Sequence, residues 1–275
     1  MKNVEELVLI DNPNLSIVLP GRCNAKCDFC FTDYSKEGVL PSYEEYFLSL
    51  YDVLKNLPSN FEKISITGGE PTMSDYLDIA LKTISLFKDK FKFVVMSTNA
   101  TGLNDRRLSQ MEGIVNAVNI SRHHYDDEQN NGIFKLESMP TREQLKLIME
   151  NCRKHNISPS LSVVMTKLTT KQDILKFIEF AQGVDIYEVR FRHVQTPTTI
   201  VDRHGVELEF DEEIVFETRC PVCRHTGQVI SNSNITWISS TLEPSNDWNV
   251  IYEAIFHQNC DLTIDWAGEK VYVLE

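Results

Sequence analysis

A chain of 275 residues with 42% hydrophobic residues can bury a sizeable core as one large or two modest domains, which excludes intrinsic disorder. Its 27 Lys and Arg against 40 Asp and Glu leave a net charge of −13, which argues against extended nucleic-acid binding. No apolar run approaches the roughly 20 residues of a membrane span, and the start from Met1 to Glu6 lacks the basic and apolar regions of an export signal. No membrane contact and a cytoplasmic location are therefore expected.

Strands and helices take turns along the chain. Leu15 to Leu19 is short, apolar and β-branched and is stopped by Pro20 and Gly21, the pattern of a strand. Ser42 and Glu45 stand at capping-box spacing ahead of Tyr46, Phe47, Leu50, Leu54 and Leu57, which repeat at helical period. Lys63 to Thr67 reads as a second strand ending at Gly68 and Gly69. A helix with Leu77, Ala80, Leu81, Ile84 and Phe87 on one stripe follows. Phe91 to Ser97 is a third strand, Asn104 to Glu112 a short helix and Ala117 to Ser121 a fourth strand. Thr141 and Gln144 cap a helix carrying Leu145, Ile148, Met149 and Cys152. Leu161 to Met165, then a helix from Lys171 to Ala181, then Ile186 to Arg192 complete six strands. Such alternation predicts an α/β fold of parallel strands with right-handed crossovers.

Beyond Pro197 the pattern changes. Val206 to Phe210 alternates with period two, Gln228 to Ile238 and Ile264 to Leu274 read as hairpins, and Asp247 to Gln258 reads as a helix. The expected organisation is a main domain over 1–197 and a small antiparallel α+β extension over 198–275 that covers the substrate side.

Seven cysteines are an odd count, and Cys23, Cys27 and Cys30 fall within eight residues, which suits metal binding better than a disulfide scaffold. Cys152 lies on an apolar helix stripe and reads as a small buried hydrophobe. The cysteine loop follows the first strand, Gly68-Gly69-Glu70 the second, Thr98-Asn99 the third and Ser121 to His124 the fourth. All four polar segments therefore share the carboxyl-end rim of a parallel sheet, where α/β proteins collect their chemistry. Three thiolates on one loop can hold three irons of a [4Fe–4S] cube and leave the fourth iron open. A structural zinc site with a borrowed fourth ligand is the alternative from the cysteines alone.

The Cys-x3-Cys-x2-Cys spacing, with Phe29 before the last cysteine and Gly-Gly-Glu-Pro after the second strand, resembles the radical S-adenosylmethionine (SAM) superfamily over roughly residues 13–195. The resemblance implies a partial (β/α)6 barrel, a [4Fe–4S] cluster on Cys23, Cys27 and Cys30, and SAM chelated to its unique iron. It further implies that Gly68, Gly69 and Glu70 receive the methionine amino group. Thr98, Asn99 and Ser121 would stand near the SAM carboxylate and ribose, and Phe29 and Val164 near the adenine. The relatives' Ser-x-Asp turn after the fourth strand is here Ser121-Arg122-His123-His124, a departure that touches the ribose contact. The implied chemistry is reductive cleavage of SAM, with an electron from flavodoxin or ferredoxin, to a 5′-deoxyadenosyl radical that abstracts a substrate hydrogen.

A small polar substrate is expected near His123, Arg190 and Arg192, with His124, His193, Trp237 and Trp266 in the same region. Two arginines two apart share a strand face and suit an anionic group or heterocycle, unless acidic neighbours hold them. Size and layout resemble radical-SAM lyases that release queuine from queuosine-type nucleosides. A peptide-modifying maturase and a non-catalytic zinc or iron–sulfur protein are the alternatives. Cys220, Cys223, His257 and Cys260 form two half-sites with metal-ligand spacing, read here as a tight Pro turn and a buried thiol rather than a second metal centre.

Overall fold

The computed structural model describes residues 8–30, 39–168, 170–186, 188–192, 214–219, 226–230, 236–238, 250–264 and 266. The first six strands are β1 (Val8–Leu19), β2 (Lys63–Gly68), β3 (Phe93–Thr98), β4 (Ala117–Ser121), β5 (Ser158–Val164) and β6 (Val189–Arg192). Between them lie α1 (Tyr43–Asn56), α2 (Leu77–Ser85), α3 (Asp105–Met111), α4 (Asp127–Phe134), α5 (Arg142–Lys154) and α6 (Lys171–Gly183). Both expected capping boxes are present, Ser42 with Glu45 ahead of α1 and Thr141 with Gln144 ahead of α5.

Five further strands, β7 (Ile214–Arg219), β8 (Thr226–Ile230), β9 (Thr236–Ile238), β10 (Val250–Phe256) and β11 (Leu262–Thr263), complete one open sheet. Its order is β11-β10-β1-β2-β3-β4-β5-β6-β9-β8-β7. From β10 to β9 every neighbouring pair is parallel, and the antiparallel pairs lie at the two edges. The expected β8–β9 hairpin forms, with Gln228 opposite Trp237.

Two expectations need correction. The segment expected as a helix over Asp247 to Gln258 contains β10 instead, paired in parallel with β1. Its β-branched and aromatic residues favour a strand, and β1 would otherwise present an unpaired edge above a buried core. The strands after residue 198 are likewise not an appendage set apart: β9 and β10 join opposite sides of the main sheet. Val206 to Phe210 and most of the last hairpin lie outside the described residues.

The two faces of the sheet differ in chemistry. Leu15, Ile17, Ile64, Ile66, Val94, Met96, Val118, Ile120, Leu161 and Val163 turn to the helix side and pack with buried residues of α1, α2, α3, α5 and α6, Cys152 among them. Many of the alternate residues are small and polar, with Val18 and Val95 among the exceptions. Ser16 stands opposite Ser65, Ser97 opposite Asn119, Asn119 opposite Ser160, and Ser162 between Ser121 and Arg190. Parallel partners share a face, so these side chains line one polar surface below the rim.

At the far end His155, the residue capping α5, is buried with Nδ1 3.0 Å from Glu112 Oε2 and Nε2 2.9 Å from Asp105 Oδ1. Lys154 also reaches Asp105, at 2.9 Å. The bonded carboxylates raise the His155 pKa above its ordinary value. A raised folded-state pKa gives stability that is complete below the unfolded value of about 6.5 and is lost as pH rises through the folded value. The melting temperature of the wild type is therefore expected to fall between about pH 6 and pH 8, and thermal melts of His155→Asn over that range should show a flatter profile.

Candidate functional site

The exits of β1, β2 and β3 interlock. Gly68 and Gly69 let the β2 exit lie directly against the cysteine loop. A side chain on Gly69 would place its Cβ 2.5 Å from both the Arg22 carbonyl carbon and the Cys23 nitrogen. Gly68 has φ +144 and a Cβ there would stand 2.8 Å from the Leu19 carbonyl oxygen. The close approach that the glycines permit here is thus to the chain's own backbone.

Glu70 follows, buried, with both carboxylate oxygens engaged. Oε1 accepts from the Thr72 amide at 3.0 Å, from the Thr72 hydroxyl at 2.6 Å and from the Thr98 hydroxyl, and Oε2 accepts from the Asn99 amide at 2.6 Å. The exits of β2 and β3 are thereby fixed to one another. Asn99 then reaches the cysteine loop, donating from Nδ2 to Asn24 Oδ1 at 2.8 Å, with Cys23 Sγ 3.9 Å away. Thr101 closes the circuit through Asn99 Oδ1 at 2.7 Å and Asn24 Nδ2 at 3.0 Å. Between them Ala100 adopts φ 65, a left-handed conformation that a non-glycine residue holds only at some cost. Asn24 and Thr101 escaped the sequence reading, although Asn24 sits inside the marked cysteine loop and Thr101 only two residues past Asn99.

The cysteine sulfurs fit an iron–sulfur cluster by their chemistry. Burial and the neighbouring Cys30 and Cys23 push the Cys27 thiol up to about 12, and burial raises Cys23. Thiols so placed form thiolates readily only beside a cation. Among the described residues no three His, Cys, Asp or Glu side chains gather tightly enough for a single metal ion. In a [4Fe–4S] cube each thiolate takes its own iron, so the ligands stand farther apart. Ala25, Phe134 and Met139 form a small apolar cluster against Cys23 and Cys27.

The exit of β4 is turned inward. Arg122, expected on the rim, is buried and clamps the loop to α4: Nε donates to the His124 carbonyl at 2.7 Å, Nη1 to the Pro140 carbonyl at 2.9 Å, and Nη2 meets Asp127 Oδ1 at 2.5 Å. His123, expected near substrate, is also buried. Burial and the adjacent Arg122 charge bring its pKa down to about 3, so the ring is neutral. His124 accepts the Asp126 amide at Nδ1, 3.0 Å away. Val164 gives its amide to His123, and Ser121 lies half-buried on the polar face.

On β6, Arg190 is half-buried and ion-paired with Glu188, as acidic neighbours allow, whereas Arg192 is exposed. His193, Cys220 and Cys223 lie outside the described residues, so one half of the second cysteine set does too. In the other half, Cys260 packs against the core and burial raises its thiol pKa, and His257 Nε2 stands 2.7 Å from Thr263 Oγ1. The strand β10 adds an unexpected carboxylate to the polar face. Glu253 accepts from Asn14 at 2.7 Å, from Ser16 at 2.5 Å and from Trp266 Nε1 at 3.0 Å.

A model of the radical SAM superfamily matches residues 17–181, which holds the cysteine loop and five of the strand exits. The chain belongs to the radical SAM superfamily. It is a radical SAM enzyme, and its cofactors are a [4Fe–4S] cluster and S-adenosylmethionine. The chain is 27% identical over 176 residues to a GTP 3′,8-cyclase of Campylobacter jejuni subsp. doylei, covering 62% of this chain and 52% of that protein. It is 25% identical over 180 residues to an S-adenosylmethionine-dependent nucleotide dehydratase of Lacinutrix mariniflava, covering 62% of this chain and 36% of that protein. The chain thus spans about half the length, or less, of these relatives. Among solved structures, SuiB of Streptococcus suis aligns with a TM-score of 0.61 at 15% identity, over 94% of this chain and 61% of SuiB, a likeness of fold. No helix among the described residues is long and apolar enough to cross a membrane.

Two substitutions test the interlock. Gly69→Ala should displace the cysteine loop and lower iron content after anaerobic reconstitution by at least half. Gly132→Ala, where a Cβ meets nothing within 4 Å, should load iron normally. Glu70→Gln replaces an acceptor oxygen by a donor amide and should cost about 2 kcal/mol in chemical denaturation of the iron-free protein.

Proposed function

We propose that this radical SAM enzyme holds its cluster through Cys23, Cys27 and Cys30 and acts on a nucleotide or nucleoside. The observation that carries the substrate class is that two relatives with differently named reactions, a GTP cyclase and a nucleotide dehydratase, each match about 62% of the chain. These names favour cyclisation or dehydration over the queuine-releasing cleavage suggested by size.

In this reading Gly68, Gly69 and Glu70 shape the end that takes the methionine amino group, with Thr98 and Asn99 beside it. Ser121 flanks the ribose, and Phe29 and Val164 flank the adenine. A [4Fe–4S] cluster held by Cys23, Cys27 and Cys30 would supply, once reduced, the electron for cleaving SAM and so the radical chemistry that removes a hydrogen from the substrate. The chain's own residues do the rest. The Glu70 carboxylate, fixed by its four donors, keeps two strand exits rigid against the cysteine loop. The serines, Asn119 and Glu253 of the polar face offer hydrogen bonds to a base and sugar, and the Arg190 guanidinium suits a phosphate. Ala25, Phe134 and Met139 keep water from one side of the cysteines.

The test is to incubate anaerobically reconstituted protein with dithionite, SAM and deuterated candidates: GTP, other nucleotides, queuosine and a model peptide. One nucleotide or nucleoside is expected to stimulate 5′-deoxyadenosine formation and pass deuterium into it, while Cys27→Ala loses both the brown colour and the product. Deuterium transfer from the peptide and from no nucleotide or nucleoside would overturn the substrate class.

A further inference from the structure

Three segments of the rim, α4, the cysteine loop and the end of β5, meet at His123 of the β4 exit. Its backbone amide donates to Asn130 Oδ1 of α4 at 2.9 Å. Its ring stacks on Phe134 at the end of α4, with centroids 4.6 Å apart and planes 15° from parallel. Phe29 of the cysteine loop meets the same ring edge to face, 5.0 Å away and 87° inclined. On the remaining side Nδ1 accepts the Val164 amide at 3.0 Å, where β5 has outrun the β4 ladder but is still paired with β6 at Arg192. The helix side of this arrangement is anchored to the cysteine loop by the Lys26 amide, which donates to the Phe134 carbonyl at 2.9 Å, and by the Lys135–Asp28 ion pair.

A histidine that carried protons would keep a ring nitrogen in reach of substrate. This one is 4% exposed, and its Nδ1 lone pair already holds a backbone amide. What it does instead is set the separation between Phe29 and the Val164 peptide. Stacked aromatic rings fix the plane of the imidazole, and a hydrogen bond made from that plane fixes the peptide. The ladders alone do not do this: the β4–β5 pairing ends at Ser121 with Ser162, two residues before Val164, and β6 holds Val164 from the other side, at Arg192, so His123 is what ties this peptide to the β4 exit.

We propose that His123 is a positioning residue that holds the Val164 peptide against Phe29 and so preforms the slot for the adenine of SAM. The proposal rests on the placement of adenine in the preceding subsection. A preformed slot avoids ordering the β5 exit on binding, so the effect is in SAM affinity more than in the rate of the bound complex. Losing the acceptor also leaves the Val164 amide without its bond.

The experiment compares His123→Asn with His123→Leu, which are nearly isosteric and both lack the ring. Asn Oδ1 stands about where Nδ1 stands and can accept the Val164 amide; Leu cannot. SAM affinity is measured by anaerobic equilibrium dialysis on reconstituted protein, with iron content and visible absorption recorded on the same samples. With equal iron, the Leu variant is expected to bind SAM about tenfold more weakly than the Asn variant, with KM for SAM raised in parallel and kcat for 5′-deoxyadenosine changed by less than about twofold. Equal affinity in the two variants overturns the proposal. Should both fail to load iron, His123→Phe, which restores the ring without the acceptor, decides by comparison with wild type: weaker SAM binding supports the proposal and equal binding overturns it. Phe29→Ala reads the underlying placement separately. Unchanged SAM affinity there overturns the adenine slot itself, whereas a weakened Phe29→Ala with equal Leu and Asn variants overturns only the role of His123.

Discussion

The buried carboxylate of Glu70 is the constraint on which the rim depends. Burying an ionised carboxyl is costly unless hydrogen bonds replace its water, and four donors from Thr72, Thr98 and Asn99 do so here. Because those donors come from the exits of both β2 and β3, satisfying the charge locks two strands' loops together. Asn99 extends the lock to Asn24 in the cysteine loop. A loop that must present three sulfurs in fixed positions gains its rigidity from this circuit rather than from regular secondary structure.

The sheet beneath the rim divides its labour by face. Apolar residues at every second position bury against the helices, which is where the stability of the fold resides. The opposite positions hold Ser16, Ser65, Ser97, Asn119, Ser160 and Ser162, side chains small enough to leave room and polar enough to hydrogen-bond. Purely parallel sheets more often bury apolar residues on both faces. The departure here is what a surface that handles a polar ligand requires.

The exit of β4 shows a different solution. Arg122 answers three backbone carbonyls and Asp127, and stacks its guanidinium 4.8 Å from the Phe180 ring. This fastens α4 over the rim, and α4 in turn supplies Phe134 to both His123 and the cysteine loop. Residues that look from the sequence like a substrate-facing cluster of charge therefore work as internal fasteners.

The sequence by itself determined the local elements and the shared rim. Capping boxes, strand runs and helical stripes depend on neighbours within a few residues, and the Cys23, Cys27 and Cys30 spacing is equally local. Helix α4 was not legible, because Asp127 to Phe134 carries little apolar periodicity and is held by Asp126 capping and by contacts from Arg122 and His123. Strand β10 was misread because Trp248, Ile251, Ile255 and Phe256 satisfy a helical period as well as a strand. Only the open edge of β1, more than 230 residues away along the chain, decides between them. The inward turn of Arg122 and His123 and the engagement of Glu70 belong to the tertiary structure for the same reason. A polar side chain's role is set by which donors and acceptors folding brings to it, and those arrive from strands that are distant in sequence and adjacent in the sheet.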